Sequence, residues 1–174
     1  SGPRRRLLVR RCLKHLGLAP PPARRLATLE TQLASRGDAE VRVSWDGGEA
    51  RLWRGDLFLM APPVALDGSW QAEWGGREAL PTPVGTLRRG LVRGDGQAVS
   101  LKVRARQGGE VFQLAGRGRR DLKRLLQEWG LPPWERKRLL VVWHDGAPVA
   151  AGLTTGEWLA LANGWREAHG SPCR

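Results

Sequence analysis

Apolar residues near the start of the chain recur every three or four positions, the spacing of one helix face. The first repeat predicts a helix over residues 3–16 with four residues on its buried face: Val9, Cys12, Leu13 and Leu16. The second predicts a helix over residues 22–35 that ends at Gly37, with three buried leucines: Leu26, Leu29 and Leu33. Both helices need a partner that covers the apolar face.

Residues 41–60 are predicted to form strands, and over residues 41–45 apolar and polar residues alternate as in a half-buried strand. Turn sequences at residues 46–48 and 55–56 divide this region into a three-stranded antiparallel meander. Pro62 and Pro63 then mark a boundary. The predicted fold class is α+β. Residues 1–63 form a small domain of two helices and a meander, and residues 64–174 form a β-rich domain with one principal helix.

Strand patterns continue in the second domain. Residues 99–106 alternate strictly, which gives one apolar face and places three cations on the other: Lys102, Arg104 and Arg106. Gly108 and Gly109 are predicted to close a hairpin with residues 110–115. Residues 139–143 are continuously apolar, as in a strand covered on both faces, and Asp145-Gly146 turns this strand back. A last hairpin is predicted over residues 156–170.

The principal helix is predicted over residues 119–129. Its buried face carries Leu122, Leu125, Leu126 and Trp129, and the polar face repeats the same spacing with Arg120, Lys123, Arg124 and Gln127. Asp121 falls in the first turn, and Gly130 is placed to end the helix in a left-handed conformation. The preceding loop, residues 116–119, contains glycine and arginine, which suits phosphate oxygens at a helix N-terminus. An amphipathic helix with a solvated face is the alternative.

The 174 residues include 29 Lys and Arg against 17 Asp and Glu, a formal charge of +12. This excess indicates a polyanionic partner. A basic amphipathic first helix could also bind a membrane surface, but its apolar face is narrow and lacks aromatic residues. No apolar run approaches the roughly 18 residues of a membrane span. With only Cys12 and Cys173, the chain is expected to be soluble and cytoplasmic.

The sequence shows no constellation for catalysis. His15, His144 and His169 are far apart and do not have the spacing of a metal site. Nucleophile-elbow, Walker and dinucleotide motifs are missing. We therefore expect no catalytic residue, metal or cofactor within this chain. A self-sufficient enzyme is disfavoured, and a protein-interaction or dimerisation module that exposes some of the nine tryptophans is the alternative to nucleic-acid binding.

Residues 116–136 resemble the C-terminal domain of bacterial tRNA(Ile)-lysidine synthases. The matching residues are Gly116-Arg117, Arg119-Arg120, Leu122-Lys123-Arg124, Gln127-Glu128, Gly130 to Trp134, and Arg136. The strands on either side of Asp145-Gly146 continue the similarity, and residues 1–63 loosely resemble the first substrate-binding domain of the family. The entry loop is one residue shorter than the usual pattern, and Leu140 replaces an expected proline.

The resemblance implies a layered β/β/α fold for residues 64–174, the C-terminal tRNA-binding domain. In the family, an N-terminal domain with a Ser-Gly-Gly-x-Asp-Ser phosphate loop uses ATP to activate the wobble cytidine of tRNA(Ile), and lysine then attacks the adenylate. This chain has no such motif. The resemblance thus implies a fragment that binds and orients tRNA(Ile), with ATP and Mg used by a catalytic domain in cis; it leaves a homodimer open.

The predicted nucleic-acid-binding residues are cations of the principal helix, of its neighbours and of the first helix: Arg104, Arg117, Arg119, Arg120, Lys123, Arg124, Arg136, Lys137, Arg10 and Lys14. All of these except Lys137, Arg10 and Lys14 are predicted to share one positive surface. Since such contacts release counterions, binding is expected to weaken steeply with salt. The chain alone is expected to bind tRNA without hydrolysing ATP or modifying the RNA.

Overall fold

The computed structural model describes residues 2–34 and 41–168. The chain divides into two units, residues 1–63 and residues 64–174. The first unit contains α1 (Gly2–His15), α2 (Ala23–Ala34), β1 (Arg42–Trp45), β2 (Gly48–Trp53) and β3 (Asp56–Met60). The strands form an antiparallel sheet in the order β1-β2-β3. This confirms the predicted helices and meander; the predicted stop at Gly37 lies outside the described residues.

The core of the first unit joins both helices to the sheet. Its buried apolar residues are Val9, Leu13, Leu26, Leu29, Val41, Val43, Trp45 and Ala50. The Trp45 indole donates a hydrogen bond to the Ala19 carbonyl at 2.8 Å. On the outside, Arg6 binds Glu30 through two hydrogen bonds of 2.7 and 2.6 Å, which link α1 to α2.

Two residues predicted for the buried face of α1 are exposed. Cys12 lies on the outside, and Leu16, which follows the end of α1, is 53% exposed. Val9 and Leu13, one turn apart, already fill the stripe that faces the core. Beside that stripe, a second apolar row repeats every four residues and consists of Leu8, Cys12 and Leu16. All three are exposed.

A carboxylate is buried within the sheet of the first unit. Glu49 is 1% exposed and accepts hydrogen bonds from Arg51, from Arg42 at 3.1 Å and from the Ser44 hydroxyl at 3.0 Å. Burial raises the pKa of Glu49, but the hydrogen bonds from Arg51 and Ser44 outweigh it and hold the pKa below its ordinary value. Glu49 therefore stays ionised and ties β1 to β2.

The second unit consists mainly of antiparallel strands. In chain order it contains β4 (Gln71–Trp74), β5 (Leu80–Thr82), β6 (Gly85–Leu87), β7 (Gly90–Arg93), β8 (Leu101–Ala105), β9 (Val111–Leu114), β10 (Gly118–Asp121), α3 (Leu122–Glu128), α4 (Pro133–Arg136), β11 (Leu140–His144), β12 (Ala147–Gly152), β13 (Ala160–Leu161) and β14 (Trp165–Ala168). Together with the first unit, this confirms the α+β class.

A five-stranded sheet in the order β13-β12-β11-β8-β4 forms the centre of the second unit. Leu140, Val141 and Val142 of β11 are fully buried, which agrees with a strand covered on both faces. The Asp145-Gly146 turn joins β11 to β12 as predicted. Three two-stranded pairs accompany this sheet: β5 with β6, β7 with β14, and β9 with β10.

Two predicted hairpins are wrong. Strand β8 pairs with β4 on one edge and β11 on the other, so no edge is left for β9, which pairs with β10 instead. The predicted last hairpin is absent from the described residues: β13 pairs with β12, and β14 pairs with β7. Local turn signals thus predicted where strands occur, but they did not predict which strands pair when the partners are distant in sequence.

Candidate nucleic-acid interface

The basic segment around residue 120 is a hairpin followed by a helix, and we call β9, β10 and α3 (residues 111–128) the hairpin–helix segment. Arg119 pairs with Gln113, and Arg120 pairs with Phe112, across the two strands. Arg119 and Arg120 therefore lie on a strand, and the predicted helix start at residue 119 is wrong by three residues. The backbone of residues 118–121 is engaged in the β9–β10 ladder instead.

Asp121 begins the helix as its N-cap. Its carboxylate accepts hydrogen bonds from the backbone N–H groups of Lys123 at 2.7 Å and Arg124 at 3.4 Å. These amides are the donors that a helix start leaves unsatisfied. The apolar stripe of α3 is fully buried, with an exposed fraction of at most 1% at Leu122, Leu125 and Leu126. The cap and the stripe together fix the direction in which the outer face of α3 points.

Glycine 130 ends the helix as predicted, with a φ of +64°. The Gly130 N–H donates to the Gln127 carbonyl and the Leu131 N–H donates to the Leu126 carbonyl, both at 3.1 Å, which is the Schellman arrangement. Leu131 then packs against the core. Trp129 is the C-cap and is 36% exposed, so its predicted core position is wrong. The chain reversal gives that place to Leu131.

The predicted phosphate loop is not at the helix N-terminus. Gly116 and Arg117 lie between β9 and β10 at the hairpin turn. The Asp121 carboxylate already accepts hydrogen bonds from the free backbone N–H groups at the start of α3. Its negative charge disfavours a second anion there. Any phosphate contact by this segment must therefore come from the arginine and lysine side chains.

The outer face of the hairpin–helix segment is cationic. Arg119, Lys123 and Arg124 are exposed, and none of them has an acidic partner among the described residues. Arg117 forms an exposed ion pair with Glu128 at 3.0 Å, which links the hairpin turn to the last turn of α3. Glu128 lies four residues after Arg124 and so on the same helix face. The structure therefore brings Arg117 and Arg124 to the same side of this segment.

The remaining predicted cations of this region are more constrained. Arg120 shares its strand face with the buried Phe112 and donates to the Arg119 carbonyl at 2.9 Å. Arg136 is half-buried at the end of α4 and donates to the Leu131 carbonyl at 2.7 Å. Lys137 is exposed. Arg120 and Arg136 thus support the local fold, whereas Lys137 is available to a partner.

Arg104 lies on the central sheet, outside the hairpin–helix segment. Its guanidinium carbon is 5.5 Å from the centroid of the Trp143 ring, a cation–π contact. The cations on either side are held by carboxylates: Lys102 by Glu73 at 3.3 Å and Arg106 by Glu110 at 3.8 Å. The single positive surface from Arg104 to Arg136 stays a prediction.

Arg10 and Lys14 belong to the first unit and are exposed on α1. Arg6 lies four residues before Arg10 and therefore on the same face of α1, but it is paired with Glu30. The hydrogen bonding from Arg6 is the main cause of the lowered pKa of Glu30. On this face of α1, Arg6 is thus neutralised by a carboxylate, and Arg10 and Lys14 are the exposed cations that follow it.

Sequence reasoning did not identify Trp143 and His144 as site residues. The apolar run of residues 139–143 predicts a buried Trp143, but this side chain is half-buried and forms one wall of a cleft with Arg104 and Lys102. The one available signal in the sequence is that Trp143, the last residue of the predicted apolar strand, and His144, the residue after it, carry polar groups on their rings. Within the described residues, no group of His, Cys, Asp or Glu could hold a metal ion, and no helix is long and apolar enough to cross a membrane.

Comparison with protein families gives two matches. Residues 1–58 match the TilS substrate binding domain, and residues 101–167 match the TilS substrate C-terminal domain. The chain belongs to the tRNA(Ile)-lysidine synthase family. This confirms the resemblance of residues 116–136.

Relatives named tRNA(Ile)-lysidine synthase cover nearly the whole chain. The protein of Xanthomonas axonopodis pv. citri is 40% identical over 95% of the chain, and that of Methylococcus capsulatus is 36% identical over 89%. The protein of Alkalilimnicola ehrlichii is 37% identical over 98%. The chain spans 40%, 37% and 41% of the length of these tRNA(Ile)-lysidine synthases, respectively.

The candidate interface falls inside the matched regions. The match to the C-terminal domain, residues 101–167, contains the hairpin–helix segment together with Arg104, Arg136 and Lys137. Arg10 and Lys14 lie within the substrate-binding match, residues 1–58. Exposed cations therefore occur in both matched domains.

Proposed function

We propose that this chain is the tRNA-recognition part of a tRNA(Ile)-lysidine synthase. It binds tRNA(Ile) and orients it for ligation of lysine to the wobble cytidine. The observation that carries this proposal is the outer face of the hairpin–helix segment, inside the family match, where Arg119, Lys123 and Arg124 are exposed and have no acidic partner in the described ranges.

The chemistry of this face suits an RNA stem. Side-chain cations on a strand and a helix can contact phosphates on a backbone that presents one charge per nucleotide. An RNA helix hides its base edges in a deep groove, so a surface of this kind recognises shape, phosphates and 2′-hydroxyls. Discrimination among tRNA sequences by this segment is accordingly modest.

The catalytic chemistry is assigned to a different part of the parent protein. ATP and Mg²⁺ serve a catalytic domain that acts in cis with this chain, and the parent acts in the cytoplasm. Residues 1–63 are the first substrate-binding domain and residues 64–174 the C-terminal tRNA-binding domain, with Arg10 and Lys14 as further phosphate contacts. ATP hydrolysis by the isolated chain would contradict this division of labour.

A salt series tests the proposal. Binding of fluorescently labelled tRNA to the chain is measured by anisotropy at increasing salt, with folding checked by circular dichroism. We expect the logarithm of the association constant to fall linearly with the logarithm of salt concentration, by about 0.7 to 0.9 units per phosphate contact. A folded chain that fails to bind tRNA at low salt contradicts the proposal, as does affinity that salt does not change.

One observation favours a second candidate, a protein-interaction or dimerisation module. Leu7, Leu8 and Leu16 of the α1 region are 69%, 66% and 53% exposed. Exposed apolar residues of this kind favour a homodimer through α1. Sedimentation of the chain and of a Leu8→Ser, Leu16→Ser variant tests it: a dimer that the variant disrupts supports the module, and a monomer at all concentrations contradicts it.

A further inference from the structure

A cleft lies on the central sheet of the second unit, and its lining residues are distinct from the hairpin–helix segment. Strands β4, β8 and β11 and the turn after β11 form it, and its volume is about 300 Å³. Its lining includes one carboxylate from β4, two cations from β8 and three residues around the end of β11: Glu73, Lys102, Arg104, Trp143, His144 and Asp145. This volume suits one small ligand or one unit of a larger one.

Strand register explains why these side chains meet. Lys102 pairs with Trp143 on one side and with Glu73 on the other, so all three project from the same face of the sheet. Arg104, two residues further along β8, projects from that face as well. The pairing of β11 with β12 shifts register between Val142 and Trp143. Such a bulge bends a strand and redirects the side chain beside it.

The Arg104 guanidinium lies over the Trp143 ring in this cleft, and we call these two groups the Arg104–Trp143 platform. The guanidinium carbon lies 5.5 Å from the ring centroid of Trp143. Arg104 has no carboxylate or carbonyl partner among the described residues, and its Nε is buried without a hydrogen bond. No carboxylate of the described residues neutralises this guanidinium, so its charge is available to a ligand. A platform of this kind stacks nucleobases, and the guanidinium also binds phosphate.

The edge of the cleft combines a cation with hydrogen-bond acceptors. Lys102 lies 3.3 Å from Glu73, and the Glu73 side chain is 67% exposed. His144 is fixed between the Ser100 carbonyl and the Asp145 carboxylate, both at 3.2 Å, and its ring meets that of Trp165 edge-on at 5.3 Å. Carboxylates at a cleft edge accept hydrogen bonds from the amino groups of unpaired bases.

We propose that this cleft binds one unpaired nucleotide of the RNA, with its base on the Arg104–Trp143 platform and its phosphate on Arg104 and Lys102. A paired nucleotide does not fit this role, because stacking within the duplex covers both faces of its base. The inference rests on the proposed function for the class of ligand. It adds a single-stranded contact to a protein surface that otherwise recognises stems.

Two RNA probes test this proposal: a short single-stranded oligonucleotide and a blunt-ended duplex of equal total charge. The variant Arg104→Met keeps the length of the side chain and removes the cation. Stacking of a base contributes about 1–3 kcal/mol, and 1.4 kcal/mol is tenfold in affinity. We expect Arg104→Met to weaken binding of the single strand about tenfold or more and to weaken duplex binding clearly less. Trp143→Leu gives the same selective loss if it stays folded by circular dichroism.

Arg119→Met on the hairpin–helix segment is the matched control, and it is expected to weaken duplex binding. Equal losses for both probes in Arg104→Met, or no loss for the single strand, overturn the proposal. tRNA with and without its unpaired 3′ nucleotides, used as competitors, identifies the source of the nucleotide as the 3′ end or a loop. Failure of the chain to bind duplex and tRNA would contradict the proposed function, while selective single-strand binding through Arg104 would still support the cleft.

Discussion

The β8 region and the outer face of the hairpin–helix segment each present three closely spaced cations, but their environments differ. Lys102 of β8 is paired with Glu73, and Arg106, the residue after β8, is paired with Glu110. Arg104 of β8 contacts the Trp143 ring and has no carboxylate partner among the described residues. On the hairpin–helix segment, three exposed cations have no acidic partner in the part of the chain that the structure describes: Arg119, Lys123 and Arg124. The number of basic residues thus indicates a polyanionic partner, whereas the neighbours of each cation decide which ones remain available to it.

The largest effect is expected where an arginine is held by a fully buried carboxylate. Glu49→Gln removes the charge that binds Arg51 and Arg42, and breaking a buried pair of this kind costs about 4 kcal/mol. The free energy of unfolding, measured with urea, checks this value. Arg6→Gln is the control, because it breaks the exposed pair with Glu30 and is expected to change stability little.

The same carboxylate gives a pH dependence. The pKa of Glu49 is lower in the folded state than the ordinary value of 4.5. Its contribution to stability is therefore complete above about pH 4.5 and is lost as the pH falls through the lower folded-state value. The variant should lose this part of the pH dependence. Parallel pH profiles for the variant and the unchanged chain would contradict the role of Glu49.

The buried face of α3 is expected to show the next largest effect. Leu125 is fully buried, and Leu125→Ala should lower the free energy of unfolding by about 3 kcal/mol. Trp129→Ala, a few residues away, should cost clearly less, because the Trp129 side chain is partly exposed at the helix end. Equal losses in urea unfolding would show that Trp129 belongs to the core after all.

A smaller loss in the free energy of unfolding is expected when Glu110, the acidic partner of Arg106, is replaced. Its carboxylate also accepts hydrogen bonds from the backbone N–H groups of Gln107 and Gly108 at 2.6 and 2.9 Å. Glu110→Ala leaves these amides without that acceptor, at a cost of about 2 kcal/mol. Glu110→Gln retains an acceptor oxygen and should be milder. If both variants unfold at the same urea concentration, the backbone contacts are unimportant.

Local patterns predicted much of this molecule. Two predictions for α3 were correct because both depend on residues close in sequence. These are the buried stripe of Leu122, Leu125 and Leu126 and the helix end at Gly130. The assignment of Arg119 to the helix failed because pairing with Gln113 competes with helix formation, and periodicity alone does not include that competition. The predicted core position of Trp129 was wrong for a related reason: the Schellman turn places Leu131 against the core instead.

The candidate site was predicted less completely than the fold. The exposed position of Lys123 and Arg124 on the polar helix face was predicted correctly, because it follows from spacing along one helix. The Arg104–Trp143 contact joins residues of two strands, and its prediction required the register of β8 with β11. No alternation along a single strand contains that register.

The most direct measurement is the salt dependence of tRNA binding by the double variant Lys123→Ala, Arg124→Ala. Its matched control is Arg24→Ala, Arg25→Ala, which removes two exposed charges from another helix, so both variants lower the formal charge of +12 by two. With folding confirmed by circular dichroism, the Lys123 and Arg124 variant should lower the log–log salt slope by about one to two units and weaken binding about tenfold at moderate salt. The control should retain most of the slope. Equal changes in the two variants, or an unchanged slope in the first, would contradict a tRNA interface on the hairpin–helix segment.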